Sequence, residues 1–207
     1  MLLIKNAHIL TMSGKNYDEG YILVEKGKIK AVGEMNEISK IGEISGGIDN
    51  GGAGDIECVI DAAGMYVLPG FVDAHCHIGM WEDAVGFEGD DGNEMTDPIT
   101  PQLRAIDGVY YADRAFTEAR ENGVTTVVTG PGSANVIGGQ FAALKTYGRR
   151  IEEMIVKEPV AMKVAFGENP KTVYNEKRQM PMTRMATAAL LRENIMKARE
   201  YMQLLED

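Results

Sequence analysis

Histidine, cysteine and tryptophan are scarce in this chain: three, two and one, respectively, among 207 residues. The two cysteines, Cys58 and Cys76, stand outside any C-x-x-C spacing, which excludes a disulfide framework and a structural zinc knuckle. Basic residues are also in deficit, 21 lysines and arginines against 31 aspartates and glutamates, for a formal net charge of -10. Such a surface repels nucleic acid and anionic membrane, so neither is expected as a partner. No uninterrupted apolar run approaches the ~20 residues that span a bilayer. The opening Met1-Leu2-Leu3-Ile4-Lys5-Asn6-Ala7-His8 turns polar too early for a secretory leader, and a cytoplasmic protein is the simple expectation. The glycine-rich stretch Ser45–Gly54 is a linker by composition; no Lys-Ser/Thr follows it and no helix opens there, which removes a phosphate cradle.

Scarcity gives weight to position, because two of the three histidines fall in His75-Cys76-His77. Phe71 to His77 reads as a short buried strand, entered through Pro69-Gly70 and left at Ile78-Gly79. Side chains alternate across a strand, so Asp73, His75 and His77 share one face and Val72, Ala74 and Cys76 the other. Two imidazoles at a fixed separation suit a first-row divalent cation. A bare His-x-His is as often a pair of satisfied, half-buried histidines, but the turn before this strand and the acidic residue on the same face favour a metal. His8 belongs to the leading sheet and reads as a surface or hydrogen-bonded histidine.

From Leu2 to Ile60 the pattern is strands and tight turns, with Tyr21–Glu25 and Lys28–Gly33 forming a hairpin across Lys26-Gly27. Gly79–Thr100 is an acidic loop that could ligate a metal or hold a cationic group, although charge runs usually face water. Thr100-Pro101 has the form of a helix start. Ala112, Ala115, Phe116 and Ala119 recur at helical spacing until Asn122-Gly123, and Val124–Thr129 is β-branched enough for a buried parallel strand. Strand, helix, strand sets the class as α/β. The loop Gly130–Gln140 then follows the C-terminal end of a parallel strand, where barrel enzymes bind substrate, which makes Gly132, Ser133 and Asn135 substrate-binding candidates; a plain turn-forming loop is the alternative. Phe141–Thr146 reads as a strand, followed by a helix near Arg150–Val156 that Glu158-Pro159 breaks, and then by a strand over Val160–Gly167. Lys163 inside that strand is costly to bury unless paired or chemically altered. Lys145 is a weaker rival, and Glu168 a competing carboxylate. From Thr183 a helix puts Ala188, Leu191, Ile195, Ala198, Met202 and Leu205 on one stripe, an apolar face that invites self-association into a homo-oligomer.

The run Pro69-Gly70-Phe71-Val72-Asp73-Ala74-His75-Cys76-His77 resembles the signature at the first barrel strand of the amidohydrolase superfamily, metal-dependent hydrolases of amide and ring C–N bonds. The resemblance extends back over the leading sheet and forward through Gly123-Val124-Thr125-Thr126-Val127-Val128, and its nearest flavour is the imidazolonepropionase-like and peptidase-like branch. It implies a small β-sandwich-like domain over 1–64 and the first half of a (β/α)8 TIM-type barrel over 65–207. It also implies one or two divalent ions, zinc being the expected metal. His75 and His77 would be ligands and Asp73 their support. Lys163, carboxylated on its amine, would bridge two ions, with Glu168 as the alternative. The implied substrate is a small-molecule amide or cyclic amide; a deaminase would need one metal and no bridge. A closed barrel takes ~250 residues, and the family draws two further histidines and a final aspartate from later strands, whereas no histidine follows His77. The expectation is therefore an N-terminal portion of such an enzyme, inactive by itself, or a non-catalytic scaffold or oligomerising module of the same fold.

Overall fold

The structure, a computed structural model, describes residues 1–38, 56–82 and 85–206; the Ser45–Gly54 linker lies outside them. The chain divides into two compact units, Met1–Pro69 and Gly70–Asp207. The division falls after Pro69 rather than after Gly64 because Tyr66 and Val67 pair with the first strand.

Among the described residues the first unit forms one sheet. Its strands are β1 (Leu2–Ile9), β2 (Tyr17–Glu25), β3 (Lys28–Glu34), β4 (Cys58–Asp61) and β5 (Tyr66–Val67), in the order β3-β2-β1-β4 with β5 also on β1. The β2–β3 hairpin turns at Lys26-Gly27 as expected, and β4 and β5 run parallel to β1. Two small apolar clusters hold it, one of Leu3, Tyr21 and Leu23, the other of Ala7, Ile9, Ile22 and Ala62. His8 lies on β1 with its ring 5.1 Å from that of Tyr66.

The second unit contains β6 (Phe71–Cys76), α1 (Ala105–Gly108), α2 (Arg114–Glu121), β7 (Val124–Thr129), β8 (Ile137–Lys145), α3 (Ile151–Met154), β9 (Ile155–Val164), α4 (Glu168–Glu176) and α5 (Arg184–Glu206). Its sheet runs β6-β7-β8-β9. Asp113 caps α2 by accepting from the Ala115 amide, and β6–α2–β7 is the parallel crossover that the sequence pattern predicts.

Beyond β7 the fold departs from a simple run of β/α repeats. Strand β8 is antiparallel to β7, and β9 is antiparallel to β8. The cause is the link Gly130–Val136: a parallel neighbour needs a crossover of a dozen or more residues, and this link is too short to supply one. The sheet is therefore mixed, and the last part of the expected Gly130–Gln140 loop is already strand. Glu158-Pro159 lies inside β9, the helix before it having ended at Met154. Thr100 does not start a helix; its amide and hydroxyl both donate to the Ile137 carbonyl, and α1 begins only at Ala105. Strand β6 is an exposed edge rather than a buried strand, with Phe71 59% and Val72 63% accessible.

One face of this sheet carries the core: Val127, Ala142 and Leu144 pack with Met80, Ala105, Val109, Phe116 and Met154. By alternation Phe141 on β8 faces the other way, and with His75 and Lys163 it lines a hollow of about 210 Å³. Laid flat, β6 and β9 would be roughly 14 Å apart, three strand spacings. Yet Lys163 Nζ reaches to 3.4 Å from His75 Nε2, so the sheet curls toward that second face. The stripe on α5 is uncovered among the described residues, with Ile195, Met202 and Leu205 50%, 61% and 69% accessible. Among the described residues no helix is long and apolar enough to cross a membrane.

Phe116 ties α2 to the sheet and is 2% accessible. Phe116→Ala should destabilise this unit by about 3–5 kcal/mol, measured as a lowered urea midpoint with an unchanged slope.

Candidate metal centre

Three nitrogen-bearing side chains from separate places in the sequence meet on the curled face. His75 is the penultimate residue of β6 and His77 stands just beyond the strand, their ring centroids 5.4 Å apart and nearly perpendicular. Lys163 comes from β9, 88 positions beyond His75, and is 8% accessible. Burial holds its amine below the ordinary lysine value. Among the described residues no three His, Cys, Asp or Glu side chains converge in a way that could hold a metal ion; the third group here is the lysine.

Hydrogen bonding settles what each imidazole can offer. His77 Nδ1 lies 2.7 Å from the Gly130 carbonyl, which can only accept, so Nδ1 carries a proton and Nε2 is the nitrogen left to a cation in the neutral ring. Lys163 Nζ lies 3.4 Å from His75 Nε2; a charged lysine can only donate there, so Nε2 accepts when the amine is protonated. His77 is thus anchored through Nδ1, and His75 presents Nε2 toward Lys163. Anchoring the opposite nitrogen is how ligating histidines are generally oriented. The donor set, two imidazoles and a lysine amine open to modification, fits a first-row divalent ion in type.

Asp73 Oδ1 accepts from the His75 amide at 3.1 Å and so braces the strand end. Cys76 points away, against the core, where burial raises its thiol pKa, so it is poorly suited as nucleophile or ligand. Glu168 is not brought to the three nitrogens: it is exposed on α4 and pairs with Lys171 at 3.0 Å. Lys145 donates to Thr126 Oγ1.

The Gly130 loop holds the site together more than it opens it. Gly132 N–H donates to the Gly92 carbonyl, and Ala134 N–H to Asn93 Oδ1. Asn135, 2% accessible, donates to the Glu94 carbonyl at 2.6 Å and to Thr100 Oγ1 at 2.9 Å, and accepts from the Tyr174 hydroxyl at 2.6 Å. Its amide is thus committed to joining the acidic loop, the Gly130 loop and α4, which leaves it nothing to offer a substrate. Ser133 is half-buried beside it. Asp90, Asp91 and Glu94 of the acidic loop, with Pro131, Gly138, Arg104, Asp107 and Lys177, bound a cavity of about 640 Å³. That is the size of a small-molecule site. Gly138 joins cavity to centre, since a Cβ there would lie 3.3 Å from Lys163 Cγ.

Two neighbours of the centre were not singled out by the sequence pattern. Trp81 sets its ring 5.3 Å from that of His77 and lies so close over Gly92 that a Cβ there would fall 1.9 Å from the ring. Phe141 lies 5.4 Å from His75 and 6.2 Å from His77. In sequence Phe141 is one apolar residue in an apolar strand; only the β8 register separates it from its core-facing neighbours.

No protein-family model matches the chain. Over 200 residues it is 32% identical to the amidohydrolase tasK of Hapsidospora irregularis, a match covering 91% of this chain and 19% of that protein. It is 28% identical over 185 residues to an adenine deaminase of Listeria welshimeri, covering 87% of this chain and 24% of the relative. An amidohydrolase structure from Thermotoga maritima superposes with a TM-score of 0.84 at 42% identity, covering all of this chain and 49% of that one. The chain therefore spans about half the length of this solved structure and less than a quarter of these two curated relatives.

The Tyr174 hydroxyl gives a pH test of the loop network. Burial first, and then the charges of Asp97 and Glu94, push its pKa up to about 12. The unfolded chain ionises near pH 10, so stability is intact below pH 10 and falls as the pH rises toward 12, by up to about 2–3 kcal/mol. Tyr174→Phe should remove that dependence from an alkaline unfolding series, at a loss of about 1–3 kcal/mol at neutral pH from the stranded Asn135 oxygen.

Proposed function

This chain belongs to the amidohydrolase superfamily, and on that premise we propose that it carries the His-x-His side of a metal-dependent centre that hydrolyses C–N bonds of small-molecule amides or cyclic amides. The observation that carries this reading is the meeting of His75, His77 and the buried Lys163 on one curled face, with His77 anchored through Nδ1. His75 and His77 would hold a divalent ion, zinc in the first instance. When bound there, such an ion supplies Lewis-acid polarisation of a substrate carbonyl and acidifies a coordinated water.

The chain's own residues do the rest. The Gly130 carbonyl fixes the His77 tautomer, and Asp73 braces the strand end beneath His75. Burial of Lys163 raises the fraction of free amine. A free amine can attack CO2 and lose a proton to solvent, giving a carbamate whose oxygens could bridge two ions. The cavity of about 640 Å³ is the proposed substrate seat, with Gly132 and Ser133 in the loop beside it. A deaminase reading is favoured by one observation, the adenine deaminases that match over most of the chain; it keeps the same two histidines and dispenses with the bridge. Because no carboxylate joins the three nitrogens among the described residues, turnover by this chain alone should be weak or absent.

Elemental analysis of the purified protein tests the centre. Stoichiometric zinc, iron or manganese, lost in the His75→Ala/His77→Ala double variant, is the expected result, and a folded wild type that takes up no metal counts against it. A Cβ on Gly130 would lie 2.5 Å from the Phe141 ring, so Gly130→Ala must shift the carbonyl that holds His77. Metal affinity by chelator competition should drop about 10–100-fold in that variant.

A further inference from the structure

We propose that Phe141 is the positioning residue of this centre, its ring being the common surface on which His75, His77 and Lys163 are set. The proposal rests on the metal-centre reading above. Four contacts converge on this one ring. The His75 imidazole stands edge-on to it at 5.4 Å and 79°, and the His77 imidazole at 6.2 Å and 60°. Lys163 Nζ lies over it, 5.8 Å from the centroid. The Gly130 backbone, whose carbonyl fixes His77, packs directly on it, leaving no space for a Cβ.

These are not the neighbours of a core phenylalanine. Ala142 and Leu144, on the same strand, join the cluster with Phe116 and Met154, whereas Phe141 faces the 210 Å³ hollow that His75 and Lys163 also line. Its place follows from the antiparallel course of β8. Phe141 pairs with Ala161 on β9, two residues before Lys163, which puts Ala161 and Lys163 on the same face of that strand. At 5% accessible the ring is well fixed.

An imidazole on an exposed strand end has two free torsions, which must be frozen when a cation binds. A rigid ring already packed against both imidazoles orders them beforehand and so favours capture of the ion. The flat ring also accepts the lysine ammonium on its face, keeping Lys163 beside His75 before any modification. Leucine could fill most of the volume but offers neither the flat face nor the edge contacts.

The test uses the intact chain and reads positions as well as binding. In the metal-free protein, ring-current shifts of the His75 imidazole protons should be present in the wild type, collapse in Phe141→Leu and return in Phe141→Tyr, while His77, which Trp81 also faces at 5.3 Å, should change by less. Zn2+ affinity by chelator competition should fall about 10–100-fold in Phe141→Leu, with a changed Co2+ absorption spectrum, while far-UV circular dichroism stays that of the wild type. Should the leucine variant not fold, Phe141→Met, whose flexible side chain fills gaps, carries the same comparison. Wild-type imidazole shifts, Zn2+ affinity and Co2+ spectrum in these variants would overturn the proposal. A wild type that takes up no Zn2+ would overturn the metal reading instead. The imidazole shifts then decide Phe141 alone, their collapse upholding its role and their persistence refuting it.

Discussion

A lysine amine on β9 and an imidazole on β6 can touch only if two intervening strands bend to let them. The approach of Lys163 to His75 is therefore a statement about the whole sheet. The apolar packing of Val127, Ala142 and Leu144 with Phe116 and Met154 lies on one side of the curl, and the hollow that His75, Phe141 and Lys163 line lies on the other. Burying an amine there is unfavourable by itself. It is tolerated because the imidazole and the phenylalanine face accept it, and the cost appears as the lowered proton affinity of Lys163.

Much of this was legible in the residues. Alternation along Phe71–His77 placed His75 apart from Cys76, helical spacing found α2 with Phe116 inward, and a charged residue within Val160–Gly167 pointed to Lys163. The direction of β8 was not legible. Composition marks Phe141–Thr146 as a strand but says nothing of its sense, which the length of Gly130–Val136 imposes through chain reach alone. Asn135 misled for a related reason. A polar residue in a glycine loop at a strand end has the appearance of a substrate contact, and only the tertiary partners Tyr174, Thr100 and Glu94 reveal it as a tie between loops. Glu168 lost its candidacy to a local effect, an (i, i+3) pairing with Lys171 on the first turn of α4.

The Gly130 loop links two tasks that sequence position keeps apart. Its first residue holds His77 by a carbonyl, while Gly132, Ala134 and Asn135 hold the wall of the large cavity through Gly92, Asn93 and Glu94. Lys177 adds a further tie by donating to the Met95 carbonyl. The orientation of His77 and the shape of the cavity thus depend on one short backbone segment, itself seated on Phe141.

The chain holds a single indole, and it sits edge-on to His77 with Gly92 beneath it. All tryptophan emission of this protein consequently originates beside the proposed centre. The molecule carries its own optical gauge there: an ion or small molecule arriving next to His77 alters the surroundings of the one fluorophore, with no label attached and no background from elsewhere in the fold.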